Sequence, residues 1–406
     1  VCPGIGFLAV KSGDKKAETF LFAKRLLISE PQFKPKKMTT KQLRTAPQKR
    51  LYSLDVLRGF DMFWITGGGM LAIAIAQFTG ADWLQNQMHH VEWEGFKFYD
   101  LIFPLFMFIA GVAIPFSVKS KLEKNFPKRK LFGKAFKRLV ILILLGILYN
   151  GTFRSGFSNG RIASVLGQIG IGYFFAALIV IYFKSFRSRV IWLAGILVGF
   201  GIIQLLIPVP GFGAGVLTPE GCINGYIDSL LLPGRMYGGT FDPEGILCSL
   251  SATGITLMGT IAGNILRRKT TTDWQKIGYL AAWSAGSIVL ALALSTFYPI
   301  IKSCWTSTFN LLTGGISFLL MALFYLVIDH WGIHKIFFYF RVIGMNSIFV
   351  YLATRIINFQ RISEFFFGWL AKPFGQNSNF IILLGSLLII WLVLYYMYKK
   401  KIFLRV

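Results

Sequence analysis

His89-His90-Val91-Glu92-Trp93-Glu94-Gly95 leads through Asp100 into Leu101-Ile102-Phe103-Pro104-Leu105-Phe106-Met107-Phe108-Ile109-Ala110-Gly111. The second half of this stretch decides the fold class. It belongs to an apolar run over 98–118, about the 20 residues an α-helix needs to cross the hydrocarbon core. In lipid every backbone polar group must be satisfied internally, so such a run reads as a spanning helix. The first half is polar and titratable. An imidazole is the side chain most easily poised to move a proton near neutral pH, and a neighbouring carboxylate fixes its tautomer and stabilises its cation. His89, His90 and Asp100, the last at the mouth of the apolar run, are therefore the candidate chemistry. Two idle loop histidines are the plainer reading.

Working outward, about ten such runs are spread along the chain, at 53–77, 98–118, 136–151, 162–183, 190–208, 245–266, 275–297, 306–328, 341–359 and 379–398. The predicted fold is an all-α integral membrane protein, a polytopic bundle of about ten transmembrane helices. At 54% hydrophobic and 16% aromatic, the 406 residues are too apolar for an ordinary soluble domain. A net charge of +26 would suggest nucleic acid if it were spread over a soluble fold. Here Lys and Arg gather in short runs between apolar stretches, at 119–138, 184–189, 267–276, 335–341 and 399–405, so no nucleic-acid partner is expected. The bias of cytoplasmic loops toward Lys and Arg places these connections and both termini in the cytoplasm. The alternate connections, 78–97, 152–161, 209–244, 298–305 and 360–378, are poor in Lys and Arg and are predicted to lie outside, with His90 among them.

Residues 1–50 are basic, without a long apolar run or a cleavable signal peptide, and read as a disordered cytoplasmic segment ahead of a transmembrane domain at 51–406. Met38 opens Met-Thr-Thr-Lys-Gln like an ordinary start, which makes 1–37 an expected upstream extension. Cys2, Cys222, Cys248 and Cys304 have neither CxxC spacing nor His partners, so no metal site or disulfide framework is expected.

Ionisable groups inside spans are costly, and they are usually paired or functional. Asp55, Arg58 and Asp61 share one side of the first span, where the arginine can neutralise either carboxylate. Gly67-Gly68-Gly69 weakens the middle of that span and leaves room for a ligand or a close neighbouring helix. Asp242-Pro243-Glu244-Gly245 leads into the sixth span; Asp at N-cap with Pro at N1 is a helix-start signal, which leaves Glu244 freer to serve a ligand. Asp228 in a long outer loop, Lys302 and Trp305 in another, and Asn346 at the edge of the ninth span are further polar or aromatic candidates for converging over His90.

In these segments the chain resembles the heparan-α-glucosaminide N-acetyltransferase family, in particular its bacterial members. The matching residues are Ser53-Leu54-Asp55-Val56-Leu57-Arg58-Gly59, His90-Val91-Glu92-Trp93-Glu94-Gly95 with Asp100-Leu101-Ile102-Phe103-Pro104, Arg161-Ile162 with Val165-Leu166, Gly225-Tyr226-Ile227-Asp228, Asp242-Pro243-Glu244-Gly245-Ile246-Leu247, Lys302 with Trp305-Thr306, and Gly344-Met345-Asn346-Ser347-Ile348. They stand in family order from about residue 50 to the C-terminus. The resemblance implies a membrane-embedded acyltransferase of the bacterial inner membrane. Such an enzyme takes acetyl from cytosolic acetyl-CoA, without a metal, and delivers it to an amino sugar on the outer side. It aligns the catalytic histidine with His90 rather than His89, three residues before Trp93, and the partner aspartate with Asp100. CoA is expected near Arg58 and Gly67–Gly69, and the amino-sugar or glycan acceptor near Asp228, Glu244, Lys302, Trp305 and Asn346. The lipid bilayer is the implied surrounding partner, and a homodimer is left open. The chain departs from the family at Ile65-Thr66, Gln168 and Ile301, where relatives carry Asn-Tyr, Arg and Asn. A sugar permease is the competing reading, to which the lack of a visible inverted repeat is opposed; a scaffold is the third.

Overall fold

A computed structural model describes residues 51–404 apart from 157, 158 and 184, so the expectations for residues 1–50, Met38, Lys184, Arg405 and Val406 lie outside the described residues. In chain order the helices are α1 (Tyr52–Thr79), α2 (Asp82–Gln87), α3 (Phe98–Leu122), α4 (Lys128–Asn150), α5 (Val165–Tyr182), α6 (Phe186–Leu206), α7 (Ile223–Leu231), α8 (Ile246–Arg267), α9 (Asp273–Leu294), α10 (Ser307–His330), α11 (Phe338–Met345), α12 (Ser347–Ile356), α13 (Phe359–Ala371) and α14 (Ser378–Lys399). Among the described residues eight of them, α1, α3, α5, α6, α8, α9, α10 and α14, are long and apolar enough to cross a membrane. The chain is thus the all-α polytopic membrane protein that its apolar runs imply.

Two of the expected runs take a different form. The run at 136–151 is the C-terminal part of α4, a 23-residue helix whose first turns carry Lys128, Arg129, Lys130, Lys134, Lys137 and Arg138. The run at 341–359 is divided where α11 and α12 meet at Asn346, whose φ of −128° and ψ of 37° leave the helical region. The connection at 360–378, read as a loop, is mostly α13.

Small residues set the closest helix crossings. A Cβ on Gly111 of α3 would fall on the carbonyl oxygen of Thr256, and one on Gly259 of α8 on that of Phe108, so these two helices touch backbone to backbone. Gly59 of α1 and Gly344 of α11 meet in the same way, against the carbonyls of Phe340 and Asp55. α8 is the most enclosed span, 83% buried, whereas α6 and α9 are 22% buried, which puts α8 at the centre and those two at the lipid-facing rim. α1 is broken at Trp64–Gly68, where Gly67 adopts φ 144°, a conformation that side chains disfavour.

The connections gather in two alternating sets. In one, Gly95 N donates to Ile300 O at 2.9 Å, Glu94 and Ile301 form an antiparallel bridge, Trp93 Nε1 donates to Leu217 O at 2.7 Å, and Arg235 N donates to Gly160 O at 3.0 Å. In the other, Arg267 pairs with Glu123, Lys119 Nζ donates to Asn264 Oδ1 at 3.5 Å, and the Asp329 carboxylate accepts from Tyr52 N and Ser53 N at 3.2 Å each. The first set joins four of the five Lys/Arg-poor connections, 78–97 with the His90 loop, 152–161, 209–244 and 298–305.

Candidate active site

The His89–Gly95 loop is held at both edges. Gln87 Oε1 accepts from Phe98 N at 2.9 Å, and the bridge from Glu94 to Ile301 brings the Lys302 turn alongside. Asp100 stands in the first turn of α3, fully buried. Its carboxylate lies 2.7 Å from His90 Nδ1 and 3.1 Å from Lys302 Nζ, and accepts from Lys97 N at 3.1 Å and Val91 N at 3.4 Å. Lys302 Nζ is also 2.9 Å from His90 Nδ1 and 3.4 Å from Nε2. A carboxylate at the apolar start of a spanning helix would be poorly solvated alone, and this ring of donors compensates it. Burial pulls the Lys302 ammonium below the usual lysine range, and Asp100 and Glu244 oppose that shift. The His90 side chain remains 50% exposed and its ring leans on Tyr99, with centroids 5.0 Å apart. His89 is exposed and has no side-chain partner among the described residues.

His90, Lys302 and Glu244 look into a cavity of about 320 Å³ whose other walls are mainly apolar or aromatic, Ile102, Phe103 and Tyr149 among them. Glu244 is placed by Arg161, which spans it and Asp242: the guanidinium Nε donates to Asp242 Oδ2 at 2.8 Å and Nη2 reaches Glu244. Burial works against the Arg161 cation, yet the hydrogen bond to Asp242 and the charge of Glu244 raise its pKa above the usual value. Burial pushes the Glu244 carboxyl up, with Arg161 opposing.

The remaining candidates are distributed as follows. Asp242, read as an N-cap, instead binds Arg161 and accepts from Glu244 N at 3.0 Å, and α8 begins only at Ile246. The backbone at Ile246 is served by Asp228, whose Oδ1 accepts from Ile246 N at 2.9 Å; its Oδ2 is buried without a hydrogen-bond partner among the described residues. Burial pushes the Asp228 pKa up to about 7. Asp228 therefore holds a helix start and does not line the cavity. Trp305 is fully buried behind the wall, edge-on to Phe103 at 5.4 Å. Asn346 spends its amide on the C-terminal strand of chain, donating to Ile402 O and accepting from Leu404 N at 3.0 Å each; its neighbour Ser347 lines the cavity. Arg58 lies 3.6 Å from Asp55 and 3.5 Å from Gly344 O, whereas the Asp61 carboxylate is buried with no hydrogen-bond partner among the described residues, so the arginine serves one of the two carboxylates. Gly67 lines a neighbouring cavity, Gly68 packs on the Phe63 ring, and Gly69 packs on Tyr99, the ring that supports His90.

Arg161 and Tyr99 are site residues that the sequence reading gave no role. An isolated arginine in a connection facing the acidic 228–244 loop is a signal of charge complementarity, but without a register it has no assigned partner. Tyr99 carries no such signal. The stacked pair Tyr149 and Tyr351, with centroids 4.5 Å apart, forms a wall of the cavity from helices that are distant in sequence.

Fold and site together define a helical membrane protein with a histidine–aspartate–lysine cluster at a half-open cavity. No family model matches this chain. It is 27% identical over 425 residues to the heparan-alpha-glucosaminide N-acetyltransferase of Mus musculus, covering 89% of this chain and 62% of that protein. The corresponding enzyme of Homo sapiens is 27% identical over 417 residues, covering 88% and 60%. The chain is thus a distant relative of these N-acetyltransferases, and it spans about 60% of the length of these curated relatives.

Proposed function

We propose that this chain is a membrane-embedded acetyltransferase that moves an acetyl group from acetyl-CoA to the amine of a glucosamine-type sugar on the outer side of a bacterial inner membrane. The observation that carries the reading is the His90 imidazole, bonded to buried Asp100 beside Lys302 at the mouth of a cavity. With Nδ1–H donated to Asp100, the lone pair of Nε2 is left to accept a proton, and Asp100 stabilises the imidazolium that forms. An acceptor ammonium must lose a proton before its nitrogen can attack the thioester carbonyl. The C–N bond forms and the C–S bond breaks; of the two protons the nitrogen sheds in passing from ammonium to amide, one reaches the departing thiolate through His90 and the other is released to solvent. Attack by His90 itself, followed by transfer of the acetyl group from imidazole to the amine, uses the same residues. Lys302 is the nearest cation for an oxyanion, and Glu244, fixed by Arg161, is the carboxylate that would receive the amino sugar.

The cavity's apolar lining suits an extended pantetheine arm. Arg58 and Gly67–Gly69 lend less to such a path, since Arg58 is engaged by Asp55 and none of the three glycines lines this cavity. The permease reading is not favoured, because the relatives are named as transferases. The test is acetyl-CoA-dependent acetylation by the purified chain against a panel of amino sugars and their N-blocked forms. Product from free amines alone is expected; no product from any amine would sink the proposal.

A further inference from the structure

A second cavity, of about 460 Å³, lies beside the first, and Ile65 and Tyr149 line both. The proposed chemistry does not use it. Its wall is more polar, with Thr66, Thr354, Asn358 and Gln360 around Arg355, and no carboxylate faces the arginine there. Arg355 Nε donates to Tyr149 O at 3.3 Å and its guanidinium carbon lies 5.6 Å from the Tyr149 ring. Arg355 is exposed and has no ion pair among the described residues, so apart from its contacts with Tyr149 its guanidinium is open to an incoming anion. A cation on the rim of a cavity attracts anions, and a guanidinium fork matches the oxygens of a phosphate.

The depth of this cavity follows from α13. That helix has 13 residues, too few to cross a bilayer, and turns Ser363 and Ala371 inward while Phe365, Phe366 and Trp369 are 81%, 57% and 72% exposed. An amphipathic helix with outward aromatics lies in the membrane interface. Its first residues, Phe359 and Gln360, line the cavity, which therefore opens at head-group depth. On the rim Met70 and Ile356 are 51% and 74% exposed, an apolar approach continuous with the lipid-facing surface.

We propose that this cavity binds the phosphate of a membrane amphiphile, with Arg355 as its counter-ion and Asn358 and Gln360 around the head group. The proposal goes beyond acetyl transfer and does not depend on it, so its test is read by binding. The full chain in a maltoside detergent, free of phosphate, is exposed to photoactivatable phosphatidylglycerol or to photoactivatable diacylglycerol of the same chains, and cross-links to residues 354–360 are quantified by mass spectrometry. Phosphatidylglycerol is expected to label at least about tenfold more than diacylglycerol, and Arg355→Gln to remove that preference while Arg355→Lys keeps most of it. Equal labelling by the two lipids in the wild-type chain overturns the proposal even if a variant does not fold. So does an undiminished preference in a folded Arg355→Gln chain. Unlabelled phosphatidylglycerol should compete, and millimolar inorganic phosphate should not; competition by phosphate alone would assign the cavity to a soluble anion and overturn the lipid source.

Discussion

Asp100 is the residue on which the proposed site turns, because one buried carboxylate orients both His90 and Lys302. Removing the imidazole removes the proton acceptor, so His90→Ala should lower acetyl transfer by roughly 10²–10⁴-fold, the usual yield of general acid–base catalysis. Asp100→Asn should leave an intermediate rate, since the ring persists but is less well oriented, and His89→Ala should match the wild type. Initial rates on one amino sugar in matched detergent preparations check all three; an active His90→Ala chain or an inactive His89→Ala chain would overturn the assignment. Asp228 gives a pH signature instead. Its folded pKa, pushed up to about 7, exceeds the ordinary carboxyl value. Between those two values the folded chain keeps a proton that the unfolded chain has released, so stability falls as pH rises through the window and levels off above about 7. Asp228→Asn keeps an acceptor for Ile246 N and should flatten the melting temperature between pH 4.5 and 7; an unchanged slope would count against this account. Asp100 stood out in the sequence because an ionisable group at the start of an apolar run must find a partner, whereas the choice of His90 over His89 and the placing of Glu244 and Lys302 near it came from the family resemblance. Trp305 and Asn346 were not legible there, because an aromatic ring or an amide carries no direction along the chain, and here the first fills a wall and the second ties down the segment at 402–404.

α3 carries Asp100 at one end and is pinned by α8 along its length, through the reciprocal contact of Gly111 and Gly259 with opposing backbone. No side chain fits there without separating the helices. Gly259→Val is therefore expected to cost about 1–3 kcal/mol or more of stability, the scale of overpacking a filled core, and to displace Asp100 from His90. Thermal unfolding in detergent measures the first effect; a melting temperature equal to wild type would show that the crossing is looser than its geometry. Hydropathy identified α3 and α8 as spans because each is apolar for its full length. It missed the division of the ninth run at Asn346, since the tertiary partners that occupy that amide lie at Ile402 and Leu404. It missed α13 for a different reason: a 13-residue helix with one face toward the interface has neither the length nor the uniform apolarity of a span.

Among the described residues, four connections poor in Lys and Arg meet around His90, and the basic connections at 119–138 and 267–276 meet through Arg267 and Glu123. Charge bias and tertiary contact thus sort the connections in the same way, although one comes from composition and the other from packing. The bias has a sign: Lys and Arg are retained on the cytoplasmic side during insertion. It follows that Glu220, exposed in the first set, should face the outside, and that Lys124, exposed in the second, should face the cytoplasm. Cys222, Cys248 and Cys304 are buried and would compete little with an introduced thiol, and a Cys2→Ser background would remove the remaining one. In intact cells a membrane-impermeant maleimide should label Glu220→Cys fully and Lys124→Cys only after permeabilisation. The opposite pattern would invert the protein in the membrane, and the His90 cavity would then open toward the compartment that holds acetyl-CoA. An acceptor on the outer side could not reach it, and the proposal of transfer to an outer amino sugar would fall with the topology. Labelling of both positions from one side would instead break the alternation itself, which the contacts between Arg267 and Glu123 and between Trp93 and Leu217 make incompatible with this fold.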